Sequence, residues 1–336
     1  MGLPDFSQRF LPEIETQIIK VIESAKIDQD ESLYQMLGYH LGWFGTGAGE
    51  RAQGKRIRPL ITLLVAETVG GDYQDALPAA AAVEILHNFS LIHDDIEDQS
   101  DKRRGRETLW KIHGIPIALN AGDAMFSLAF IAFNLPGNRH SSDINFQASS
   151  LLAATCLALT KGQHMDISFE TQTKVSTDDY LAMIKGKTAA LLAASMQLGA
   201  LLGGAPIDTQ QAFYQVGINI GLAFQVYDDI IGIWGDSDFT GKSAATDLIT
   251  RKKTLPILYG LEQNGEFSRM WQSDITTKNA PLLAEQLMNE GALRYAKKIA
   301  GEYTSSARNQ LAKLSPLNSA GEALAELIST LIQRDS

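Results

Sequence analysis

The residues best equipped for chemistry are two acidic pairs, each closing an apolar stretch: His93-Asp94-Asp95-Ile96-Glu97-Asp98 and Tyr227-Asp228-Asp229-Ile230-Ile231-Gly232. Adjacent carboxylates repel, so a pair fixed on a rigid element calls for a cation. Two such pairs facing each other would make an all-oxygen site suited to several Mg²⁺ ions gripping a diphosphate. On a helix, residues three, four and seven apart share a face, which aligns His87, Ser90, Leu91, Asp94 and Asp98 in one stripe. Asp94 and Asp98 could hold one metal together, with Asp95 and Glu97 flanking them. Alone, such a cluster reads more readily as a solvated helix end, and His87 equally as a hydrogen-bonded core histidine. The directly following Lys102, Arg103 and Arg104 tip the balance, because guanidinium clamps suit a metal-bridged phosphate.

Around the second pair, Gly217, Gly221, Gln225, Asp228, Asp229 and Gly232 recur at three- or four-residue spacing. A glycine stripe admits another helix or a ligand closely, and plain helix packing is its simpler use. Gln225 lies one turn below the carboxylates, where its amide oxygen could face developing positive charge or simply line a polar rim. Lys185-Gly186-Lys187-Thr188 is expected to open an Ala/Leu-rich helix, and Gly54-Lys55-Arg56-Ile57-Arg58-Pro59 another. Both are expected to place cations beside free backbone N–H groups, which favours anions. The stretch from Gly235 to Ser243 has one residue too many for a P-loop and lacks a preceding strand. As a calcium loop it offers Asp236, Asp238, Gly241 and Asp247, but Thr240 and Ser243 misfit and no bidentate Glu closes it. A loop holding Lys242 over a phosphate uses the segment better.

These residues need a scaffold, and 336 residues with 45% hydrophobic content can bury a sizeable core. Apolar residues recur at helical spacing almost throughout, with no sustained period-two run, so the chain is predicted to be all-α. Helices are expected over roughly 7–25, 57–69, 75–99, 115–134, 143–169, 177–203, 208–234, 253–264, 281–313 and 318–333. The glycine-rich Gly42–Gly49 segment reads as a mobile connection. No linker divides the rest, so a single domain over 1–336 is expected. The formal charge of −10 speaks against a nucleic-acid partner. The lone Cys156 excludes an internal disulfide, and the start shows no basic region followed by an apolar run, which points to the cytoplasm. The apolar stretch Ala189–Pro206 reads as a buried core helix, not a transmembrane segment, since Gln197 would sit mid-span.

In this order, over about residues 50 to 260, these pieces resemble the trans-isoprenyl diphosphate synthases. The first aspartate-rich motif of that family, DDxxD followed by RRG, is similar to Asp94, Asp95, Asp98, Arg103, Arg104 and Gly105. The resemblance implies a single-domain bundle of about ten or more helices around a central cavity, acting as a homodimer. It implies that Asp94 and Asp98 ligate Mg²⁺ on an allylic diphosphate, that Asp228 holds a further ion, and that three Mg²⁺ ions accompany the bound diphosphate. Arg103, Lys187, Lys242 and Lys252 would contact that group. Lys55, Arg58, His87 and Arg104 would bind isopentenyl diphosphate, with Thr188 and Gln225 lining the space where the allylic cation forms. The chemistry the resemblance implies is ionisation of the carbon–oxygen bond, attack by the double bond of isopentenyl diphosphate, and loss of a proton to the departing diphosphate.

Two positions depart from the family pattern. Gln53 stands where a glycine is usual, and Gly232 replaces the last aspartate of the second motif, which leaves the second metal site in question. An aromatic residue five positions before the first motif, here Phe89 beside the small Ser90, resembles the twenty-carbon synthases. Geranylgeranyl diphosphate is therefore the expected product and farnesyl diphosphate the runner-up. A terpene cyclase on the same frame would have no need for Lys55, Arg58, His87 and Arg104 together. A catalytically silent subunit or a calcium-binding protein would have no use for two acidic motifs.

Overall fold

A computed structural model describes residues 1–26, 31–235, 245–314 and 318–332. Lys242 and the first part of the calcium-loop candidate, Asp236 to Ser243, lie outside the described residues. The chain divides into two compact units: Met1–Cys156, Ala194–Phe213 and Ser315–Leu324 form one; Leu157–Ala193, Tyr214–Leu314 and Ala325–Ser336 form the other. The described residues are helical apart from turns and one short hairpin.

The first unit is built on α1 (Leu3–Ile22), α2 (Ser32–His40), α3 (Glu50–Gln53), α4 (Ile57–Thr68) and α5 (Tyr73–Glu97). α1 buries Phe6, Phe10, Ile14 and Ile18, a four-residue repeat that gives it one apolar face. By contrast α5 is buried on nearly every side, from Ala76 to Ile92, which marks it as the central helix of this unit. Asp72 starts it by accepting from the Gln74 N–H at 2.9 Å. A two-stranded hairpin, β1 (Lys102–Arg103) and β2 (Arg106–Glu107), follows α5, then α6 (Leu109–His113), α7 (Ile115–Ile131) and α8 (Ser142–Thr171). Arg104 and Gly105 join the strands at φ 51° and 80°, the left-handed pair that a two-residue hairpin turn requires.

The second unit takes the end of α8, α9 (Thr177–Ile184), the start of α10 (Ala190–Leu202), most of α11 (Ile207–Trp234) and the helices Leu255–Glu262, Ala280–Asn289 and Ala292–Leu314. One core cluster gathers Tyr180, Ile184, Val226, Ile230 and Leu258; another gathers Ile233, Leu248, Phe267 and Leu287.

Most expected helices are present, with instructive exceptions. The helix expected over 281–313 is broken at Gly291, whose φ of 91° no helix interior accepts. α2 was not anticipated. The segment expected to be mobile, Gly42–Gly49, is pinned instead: Arg106 donates through Nη1 to the Tyr39 carbonyl at 2.6 Å, through Nε to Thr46 at 3.0 Å and through Nη2 to Phe44, while its guanidinium stacks 3.9 Å from the Tyr39 ring centre. Ala189–Pro206 falls largely within α10 and is mostly buried, as expected. Among the described residues, two helical stretches are long and apolar enough to cross a membrane: Ile115–Asn134 with mean hydropathy 1.5, and Ile207–Trp234 with 1.3. The second is mostly buried within the protein, which is what a core helix of a water-soluble protein looks like.

Candidate active site

Both acidic motifs occupy the last turns of long helices. Backbone carbonyls accumulate negative partial charge there, so carboxylates at that end are unfavourable without a cation. Asp98 caps α5, its N–H bonded to the Asp94 carbonyl at 2.9 Å, so the two carboxylates stand one turn apart as expected. Asp95, between them, turns inward. It is buried and takes Arg103 side-on, Nε at 2.9 Å and Nη2 at 2.8 Å from Oδ1. Burial pushes the Asp95 carboxyl upward, and the guanidinium opposes that shift. The pair fixes the half-exposed Arg103 over the end of α5, with Nη1 outside the pairing.

The hairpin also places Arg104. Its Nη1 donates to the carbonyls of Ala52 and Gln53, at 2.8 and 2.9 Å. Gln53 acts here through its carbonyl oxygen, and it ends a helical turn, so a side chain is tolerated where the family pattern has glycine. Gly54 cannot be replaced so easily: at φ 82°, a Cβ there would lie 2.7 Å from the Arg104 guanidinium.

A dense basic field surrounds these residues. Burial lowers the pKa of both Arg58 and Arg104, and the neighbouring guanidinium groups act in the same direction. His87 is pushed far below the ordinary imidazole range, first by burial and then by Arg58, Arg104 and Arg103. Lys55 is exposed at the entrance to α4. Arg58 Nε is enclosed without a hydrogen-bond partner among the described residues. Arg58, His87 and Arg104 therefore belong to one electropositive region that an anion would relieve.

His40, which nothing in its local sequence singles out, shares this field. Burial and then Arg103, Arg104, Arg56 and Arg106 push its pKa down to about 3, and its Nε2 is enclosed without a partner among the described residues. Unfolded, the ring takes up a proton near its ordinary pKa of about 6.5; folded, it resists until about pH 3. The unfolded state thus binds more protons below about pH 6.5, and the protein loses stability as pH falls through that window, by up to about 4 kcal/mol. Denaturant unfolding at pH 7.5 and pH 5 should show a smaller loss for His40→Gln than for the wild type. An equal loss in both would assign the acid sensitivity elsewhere.

Phe89 faces α7. Its ring centre lies 5.4 Å from Phe126 and 4.7 Å from the His93 ring, and Phe126 continues to Phe130 at 5.2 Å. Ser90 donates to the His87 carbonyl at 2.8 Å.

In the second unit the predicted residues converge on a hydrogen-bonded chain. Thr188 Oγ1 donates to Gln225 Oε1 at 2.8 Å, and Gln225 Nε2 donates to Asp229 Oδ1 at 3.0 Å. The other Asp229 oxygen receives the Tyr180 hydroxyl and the Leu255 N–H at 3.2 Å. The Gln225 amide is thereby locked, with its oxygen shared with Thr188. Burial raises the Asp229 pKa to about 7, against the pull of Lys252 and these donors. Burial would lower the pKa of Lys252, but Asp166, Asp229, Asp247 and Asp228 outweigh it. Lys187 pairs with Asp166, which the sequence reading had passed over.

One expectation needs correction here. Lys185 and Lys187 do not open a helix. Residues Lys185–Ala189 form one π-helical turn between α9 and α10, so their N–H groups are not those of a free helix start. The wide turn lies against α8, where a Cβ on Gly162 would come within 2.7 Å of the Gly186 carbonyl carbon. The glycines of α11 serve packing: a Cβ on Gly221 would meet Ala189 Cβ at 2.6 Å, and one on Gly217 would meet Ala193 N at 2.8 Å.

A helix ending in DDxxD with Arg103 beside it, and a second long helix carrying an aspartate pair to which Lys252 is drawn, define a class of protein. The polyprenyl synthetase family model matches residues 49–289, and the chain belongs to that family. It is a trans-prenyltransferase, and its relatives place it among the short-chain prenyl diphosphate synthases. It is similar to a (2E,6E)-farnesyl diphosphate synthase of Mycobacterium tuberculosis, 36% identical over 322 residues, covering 91% of this chain and 88% of that one. It is also similar to a geranylgeranyl diphosphate synthase of the same organism, 41% identical over 251 residues, 74% of this chain and 69% of the other. Among solved structures it resembles a polyprenyl synthase from Caulobacter crescentus complexed with calcium and isoprenyl diphosphate, with a TM-score of 0.84, 29% identity, and coverage of 99% and 97%.

Proposed function

We propose that the enzyme condenses isopentenyl diphosphate with an allylic diphosphate to give geranylgeranyl diphosphate, with Mg²⁺ as its metal. The carboxylates fit a divalent ion: all are hard oxygen donors, and they stand at helix ends whose charge needs neutralising. Asp94 and Asp98 hold Mg²⁺ on the allylic diphosphate, and Asp228 holds a further ion of a set of three. When bound, the metal neutralises the leaving diphosphate and lowers the barrier to its departure by several kcal/mol. Arg103, Lys187, Lys242 and Lys252 contact the same group. Lys55, Arg58, His87 and Arg104 grip the diphosphate of isopentenyl diphosphate, and Thr188 and Gln225 line the space where the allylic cation forms. No protein nucleophile takes part, and the released diphosphate accepts the proton.

The observation carrying the product assignment is Phe89, packed against Phe126 of α7, in the position the twenty-carbon synthases fill with an aromatic. Phe89→Ala is expected to lengthen the product beyond twenty carbons, read by chromatography of the hydrolysed prenols. An unchanged chain length would remove Phe89 from the product-length role. Farnesyl diphosphate is the second reading, favoured by the mycobacterial farnesyl synthase relative. A terpene cyclase is disfavoured by the clustered Arg58, His87 and Arg104.

We further place the enzyme in the cytoplasm as a homodimer, with residues 1–336 acting as one catalytic domain. α7 supports the dimer: Ile115, Leu119 and Phe126, four and seven residues apart and so on one side of the helix, are each more than a third exposed, an apolar strip that a second copy would cover.

A further inference from the structure

Gly232 stands one turn beyond Asp228 on α11, the position that Asp98 holds relative to Asp94 on α5. The helix presents no side chain there, yet the space is filled. A Cβ built on Gly232 would collide with the carboxylate of Asp247, lying 2.7 Å from its Cγ and 3.1 Å from Oδ1, with Oδ2 closer still. A carboxylate thus occupies the place that an aspartate at 232 would reach, delivered from another part of the chain.

That delivery is not accidental to the packing. Asp247 lies in the short helix Thr246–Ile249, flanked by Ala245 and Leu248, which are 1% and 0% exposed. Both belong to the core cluster that includes Ile233, the residue after Gly232. Ala245 takes a left-handed φ of 61° to start the turn, and the Lys252 N–H closes it on the Asp247 carbonyl at 3.0 Å. The Lys252 ammonium is drawn by the carboxylates of Asp247 and Asp228 alike, so the two acids share one electrostatic neighbourhood. Among the described residues, no three His, Cys, Asp or Glu side chains form a closed metal cage. Mg²⁺ needs none: it keeps several waters and is held by one or two carboxylates together with substrate phosphate.

We infer that Asp247 supplies the carboxylate that the second motif omits at Gly232, acting with Asp228 as a ligand for Mg²⁺–diphosphate. The inference rests on the proposed role of Asp228 in metal binding. It fits the bare glycine: with Asp247 seated against α11, a side chain at 232 would have to displace its carboxylate.

The test is a calorimetric Mg²⁺ titration of the full-length protein in the presence of inorganic diphosphate. Asp247→Ala should raise the half-saturating Mg²⁺ concentration about tenfold, the lower end of what loss of a partner group costs a metal site. The isosteric Asp247→Asn should do the same while melting like the wild type, which separates ligand loss from misfolding. Moving the carboxylate back, as Gly232→Asp in the Asp247→Ala background, should restore the wild-type midpoint to within about threefold. Wild-type titration by Asp247→Ala and Asp247→Asn, with Asp228→Ala weakened, overturns the inference and leaves the Asp228 reading intact. Wild-type titration by Asp228→Ala overturns both.

Discussion

Asp94→Ala is expected to lose at least about 10²- to 10³-fold in turnover while folding normally. Several kcal/mol of transition-state stabilisation by the metal depend on its ligands, and each 1.4 kcal/mol is worth about tenfold. Asp94 projects from the last turn of α5, where a carboxylate opposes the helix dipole, so its removal should leave stability unchanged or raise it by about 0.3–1 kcal/mol. Steady-state kinetics and thermal melts on one preparation check both halves. A near-normal rate would remove Asp94 from the metal site, and a large drop in melting temperature would make the loss of activity structural.

The largest effect on stability is expected at Arg56, which touches no proposed substrate. It is 5% exposed and lies between two carboxylates: Nη1 to Glu84 at 2.8 Å, and Nε and Nη2 to Glu15, each at 3.1 Å. These contacts tie α1, the start of α4 and α5 together in the first unit. Burial alone would make Arg56 easier to deprotonate, but Glu84 and Glu15 reverse this and raise its pKa. Arg56→Met keeps the bulk and deletes the charge, which strands Glu84 at 4% side-chain exposure beside the partly buried Glu15. Breaking a buried pair by removing one partner costs about 3–5 kcal/mol. Urea unfolding should show a loss of that order, with the Arg56→Met, Glu84→Gln double variant recovering part of it. A loss under about 1 kcal/mol would mean that the carboxylates find other partners or water.

The pattern of what the sequence revealed follows from how local each feature is. The long helices were legible because their apolar residues repeat within the window that defines a helix, as Phe6, Phe10, Ile14 and Ile18 do in α1. The acidic motifs and the Arg103–Arg104 pair were legible for the same reason. What escaped depends on partners distant along the chain. Tyr180 meets Asp229 across 49 positions, and Arg106 reaches Tyr39 across 67. Asp247 fills the space at Gly232 from a segment that reads locally as a failed calcium loop. The π-turn at Lys185–Ala189 escaped because a glycine on α8, Gly162, makes room for it. The spacing of the two aspartates in DDxxD placed Asp94 and Asp98 one turn apart, but it could not show that Asp95 turns inward to hold Arg103.

Condensation itself is the most direct thing to measure. Purified protein is incubated with Mg²⁺, labelled isopentenyl diphosphate and allylic diphosphates of different length, and the products are hydrolysed and chromatographed. The expected result is label in a twenty-carbon prenol, abolished by chelating the metal. Consumption of the allylic diphosphate without label entering any longer chain would contradict it.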